Sequence, residues 1–225
     1  MYNKRSSVLI TGTVILACVI MALVDALWQP VYAVKSVIKI VLFLALPVVY
    51  TSTDNRIKLK TLFKVNKNGF KTALILGISV YALILGGYLL LKDVFDFSSV
   101  TGALMDSVKV NANNFIYVSL YISFVNSLLE EFFFRGFAFL TLKKISSAKY
   151  AYIFSSVAFS IYHVAIMTGW FSIPLFLLII SGLFVGGLIF NYLNDKYSNI
   201  YVSWFVHMFA NFAINTVGFM LFGIV

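Results

Sequence analysis

The sequence predicts an all-α protein of the membrane: a polytopic transmembrane helical bundle of about seven spans. Three observations carry this. Of 225 residues, 61% are hydrophobic and 11% are charged, against about 25% charged in a soluble domain. The mean hydropathy is +0.97. The apolar residues also gather in runs close to the roughly 20 residues that a helix needs to cross a bilayer, with the basic residues in short segments between them.

The first run, Val8 to Trp28, exceeds the roughly 7–15 residues of a signal-peptide core, so it reads as a retained span. It holds the one cysteine, Cys18, which rules out an internal disulfide framework. The second run covers 36–52. Lys35 and Lys39 crowd its start, where their long stems can snorkel to the interface, with Asp25 as a partner. The third covers 72–91. Residues 92–114 mix Asp93, Asp96 and Asp106 with Lys92 and Lys109 and read as a connecting loop. Four further spans follow near 113–140, 150–168, 173–193 and 200–224. With 3 prolines and no low-complexity stretch or internal repeat, the whole of 1–225 reads as a single membrane domain.

The net charge of +9 has a topological meaning. Lys4 and Arg5 form one basic segment. Arg56, Lys58, Lys60, Lys64, Lys67 and Lys71 form a second, and Lys143, Lys144 and Lys149 a third. An even number of spans separates each from the next, so all three can share the cytoplasmic side, as the positive-inside rule expects. The expectation is an integral plasma-membrane protein with a cytoplasmic N-terminus. The Lys-, Asn- and Phe-rich, Cys-poor composition points to a bacterium. No basic stripe with interleaved aromatics stands clear of the apolar runs, which excludes nucleic acid as a partner.

Ionisable groups inside a bilayer are costly and by default mark a functional site. Between Asn113 and Leu142 the charged residues are Glu130, Glu131 and Arg135. Between Tyr150 and Asn194 the one ionisable group besides tyrosines is His163, and after Lys196 it is His207. Residues four apart share a helix face. Glu131 and Arg135 stand so, as do Phe159 and His163, and His207 and Asn211, with Asn215 one turn further. Alone, the Glu131–Arg135 pair reads as structural, and a single histidine or Asn211 as interhelical glue. Glu130 is harder to explain by packing, because one arginine cannot neutralise two carboxylates.

Glu130-Glu131-Phe-Phe-Phe-Arg135, Phe159-Ser-Ile-Tyr-His163 and His207-Met-Phe-Ala-Asn211 resemble, in order, the EExxxR, FxxxH and HxxxN motifs of the CAAX-protease and bacteriocin-processing (CPBP, or Abi) family. The resemblance makes 113–215 the catalytic core and leaves the spans of 1–112 with no assigned role. It implies an intramembrane endopeptidase acting on a membrane-associated or lipidated peptide or a lipoprotein. Glu130 would activate a water that His163 holds or shares. His207 and Asn211 would stabilise the oxyanion, Glu131 and Arg135 would orient Glu130, and Phe159 would pack beside the site.

The family is often called a metalloprotease family. Glu130, His163 and His207 form a set that can bind zinc with one position left for water, but HExxH is absent. The reading leans to no obligatory metal, with zinc or another divalent ion as the alternative. Two other functions stay open: a non-catalytic scaffold, immunity or regulatory member of the family, and a proton-coupled transporter. Nothing in the sequence signals the oligomeric state.

Overall fold

Inside a bilayer a chain must satisfy its backbone hydrogen bonds within itself, and a run of apolar residues does so as a helix. The computed structural model, which describes residues 4–53, 62–64 and 69–225, is accordingly 86% helical with no strands among the described residues. The helices are α1 (Lys4–Trp28), α2 (Tyr32–Ser52), α3 (Phe70–Leu91), α4 (Ser98–Val108), α5 (Phe115–Ile145), α6 (Ala148–Met167), α7 (Ile173–Tyr197) and α8 (Tyr201–Leu221). All but α4 are long and apolar enough to cross a membrane. Arg56, Lys58, Lys60 and Lys67 of the second basic segment lie outside the described residues.

The span ends follow local chemistry. Gln29 adopts φ 48 and ends α1, and Pro30 cannot continue a helix. Ser147 caps α6 by accepting the Tyr150 N–H. Ser198, at φ 55, ends α7 with its N–H on the Asn194 carbonyl. The segment expected as a plain loop contains α4. There the Asp96 carboxylate accepts the Ser98 N–H at 2.8 Å, which holds its carboxyl below the usual range.

Helices associate through small residues and interhelical polar contacts. Ile10, Val14, Ala17 and Met21 repeat every three or four residues on α1 and are fully buried. They belong to one cluster with Phe43 of α2, Phe133, Phe134 and Phe137 of α5, and Phe159 and Tyr162 of α6. Phe43 stacks on Phe133 with centroids 4.1 Å apart. At Gly187 of α7 a Cβ would stand 3.1 Å from Ser156 Cα of α6, so only glycine permits that approach without displacement. Asn191, one turn on, donates to the Tyr152 carbonyl and to Ser156 Oγ. Large apolar side chains such as Val8, Leu83 and Leu90 point outward.

Candidate active site

The site begins with two adjacent carboxylates on α5. In a regular helix successive residues diverge by about 100°. From Glu131 to Leu140, however, α5 is wound as a π-helix, a form that recurs at functional sites. Its wider i→i+5 turn spreads neighbouring residues less. Glu130 and Glu131 are both buried, at 2% and 0% exposure, and a charge so buried needs a partner.

The two oxygens of Glu130 face different surroundings. Oε1 accepts Lys39 Nζ at 2.9 Å and Asn126 Nδ2 at 3.0 Å. Lys39 Nζ also donates to Asn126 Oδ1. Oε2 faces His163 Nε2 at 3.8 Å and His207 Nε2 at 3.7 Å. Those separations exceed a direct hydrogen bond and suit groups that share a small molecule between them.

Each imidazole is oriented from behind. His163 Nδ1 donates to the Phe159 carbonyl at 2.7 Å, because a carbonyl can only accept. His207 Nδ1 donates to Glu131 Oε1 at 3.0 Å. In the neutral rings, Nε2 therefore carries the lone pair that faces Glu130. Phe190 of α7 stacks on the His207 ring at 5.3 Å.

Arg135 is fully buried and lies 3.4 Å from Glu131 Oε1. Its guanidinium covers the faces of Phe159, at 3.9 Å, and Phe190, at 4.9 Å, contacts that stabilise a desolvated cation. Phe159 thus lies between the arginine and both histidines, its ring 4.8 Å from His163 and 5.9 Å from His207.

Glu130, Glu131, Arg135, Phe159, His163 and His207 converge. Asn211 is placed otherwise: its Nδ2 donates to the Ile122 carbonyl of α5 at 3.1 Å. Asn215 does the same to Ser119 O and Ser123 Oγ, so both amides tie α8 to α5. Glu130 is at the middle of α5, and His163 is four residues from the end of α6 remote from Lys149, so the two helices are staggered along their axes where these groups meet.

Three contributors escaped the sequence reading. Asn126 is four residues before Glu130, a spacing that signals a shared face. Phe190 had no signal. Lys39 was read as snorkelling to the interface, but it turns inward, and Lys35 alone pairs with Asp25.

The Lys39 ammonium occupies the Oε1 side of Glu130, so Oε2 and the two imidazole Nε2 atoms are the donors that would hold a divalent metal.

Fold and centre together define an integral membrane protein with a buried carboxylate–imidazole site. Residues 112–213, just under half of the chain, match the family described as Rce1-like, type II CAAX prenyl endopeptidase. That segment carries the likeness to an Rce1-like domain, and the family is one of CAAX-type intramembrane proteases. No curated protein and no solved structure matches the chain. Glu130, Glu131, Arg135, Phe159, His163, His207 and Asn211 fall inside the matched segment, whereas Lys39 does not.

Proposed function

We propose that the chain hydrolyses a peptide bond of a membrane-associated or lipidated peptide, with Glu130 as the general base. The observation that carries this is the convergence of Glu130 Oε2 with two imidazole Nε2 atoms inside the bundle. A water held among these three atoms gives a proton to Glu130 Oε2 as its oxygen attacks the peptide carbonyl. The proton then passes to the leaving amine as the carbon–nitrogen bond breaks.

His207, locked by Glu131, becomes a donor to the oxyanion only when Nε2 is also protonated. Preorganised donors of that kind are typically worth about 100-fold or more in rate. Asn211 holds α8 on α5 through one N–H of its amide, bonded to the Ile122 carbonyl, and its second N–H is the donor it would offer to the oxyanion. The reaction proceeds without an obligatory metal, a reading that Lys39 on Glu130 supports. Residues 113–215 form the catalytic core, and the N-terminus faces the cytoplasm.

The test compares peptide termini in membranes of cells that carry the wild type or Glu130→Gln at equal expression. Termini made by the wild type alone, and retained when washed membranes are treated with a zinc chelator, are expected. Identical termini in both strains would overturn the protease reading and favour a non-catalytic regulator. Loss of termini with the chelator and recovery with zinc would overturn the metal-free reading.

A further inference from the structure

We propose that Lys39, on a helix outside the matched segment, is a positioning residue for Glu130. The proposal deepens the reading above and rests on it. Two carboxylates are buried side by side, and of the two Arg135 pairs with Glu131 among the described residues. Lys39 supplies the second cation, 5% exposed and 2.9 Å from Glu130 Oε1. Each glutamate thereby has its own partner, as buried charges require.

The contact also divides the work of the carboxylate. With Lys39 and Asn126 both donating to Oε1, Oε2 is the oxygen left toward the imidazoles. Rotation of the carboxyl group would break both bonds, so Lys39 sets the direction in which Glu130 acts. Lys39 is itself confined. Its ammonium lies 4.9 Å from the Tyr162 ring and 5.6 Å from that of Phe43, and it donates to Asn126.

Within α2 a π-helical turn, Val41–Ala45, begins two residues after Lys39. Phe43, four residues after Lys39, shares its face and is buried beside it. The N-terminal spans thus complete the site as well as flanking it. The neighbouring Asp25–Lys35 pair joins α1 to α2 one turn from Lys39. It lines a cavity of about 140 Å³ with Gln29, Ala165 and Thr168.

The experiment uses the full chain in membranes and follows the rate at which wild-type-dependent termini appear. Lys39→Met should slow them by about 100-fold, the order expected when a reacting group is misplaced by about 1 Å. Lys39→Arg, which keeps the charge, should recover at least about tenfold of that loss. The double change Asp25→Asn with Lys35→Met should stay within about threefold of wild type, since replacing a whole buried pair is often neutral.

In parallel, detergent-purified Lys39→Met, Glu130→Gln and the double variant are compared by thermal melting, which tests the contact whatever the activity. The double variant should melt above Lys39→Met. Termini at the wild-type rate in Lys39→Met would overturn the positioning role, and additive melting shifts would overturn the contact. If the wild type makes no termini of its own, the protease reading fails, and the melting comparison still decides whether Lys39 holds Glu130.

Discussion

Arg135 has no exposed surface, pairs with the Glu131 carboxylate and lies over the rings of Phe134, Phe159 and Phe190. Removing such a cation leaves Glu131 charged in an apolar interior, a change that costs about 3–5 kcal/mol where it has been measured in buried pairs. Arg135→Met should therefore lower the melting temperature sharply, and adding Glu131→Gln should restore much of the loss. Arg135→Lys should fall between, because an ammonium cannot stack its plane on Phe159. Equal melting of the single and double variants would sink this account. At this scale spacing was informative. Glu131 and Arg135 were legible as a pair, and Asn126 could have been found in the same way. Lys39 could not. A lysine near a span end can extend to the interface or turn inward, and its own helix does not say which.

The π-helical turns share a location. One holds Asp25 at Val24–Trp28, one follows Lys39, one ends on Asn126, and the longest holds Glu131 and Arg135. Each inserts a residue beside a buried polar group and re-aims the face that follows. Hydrophobic runs predict helices, but they carry no signal for a widened turn, because a single added residue barely alters an apolar pattern. Packing between elements gives a sharper forecast. Gly187→Val should overpack α7 on α6 and cost about 1–3 kcal/mol. Since α6 carries His163, cleavage should fall with it. Gly182→Val on the same helix, with nothing within 4 Å of its Cβ position, should melt like the wild type. Matching melts for the two variants would mean that the α6–α7 contact is looser than described.

For the molecule as a whole, seven described helices long enough to span predict Lys4 and Leu221 on opposite sides, and the positive-inside rule predicts that the basic segments face the cytoplasm. In a Cys18→Ala background, a membrane-impermeant maleimide applied to intact cells should label Gln29→Cys and Asp93→Cys. It should spare Lys149→Cys and Ser198→Cys until the membrane is opened. The reverse pattern would invert the orientation, and different sides for Gln29 and Asp93 would break the span count.

Composition alone determined that the chain is a helical membrane protein, because a bilayer tolerates few charges and no open backbone. Spacing along single helices then picked out Glu131 with Arg135, Phe159 with His163, and His207 with Asn211 as shared faces. Only the tertiary structure decided what each face meets. It placed His207 on Glu131, turned Asn211 to the Ile122 carbonyl, and brought Lys39 from 91 residues away onto Glu130. The reason is that a helix fixes its own periodicity through local hydrogen bonds, whereas the stagger, rotation and partner of each helix depend on side chains distant in sequence.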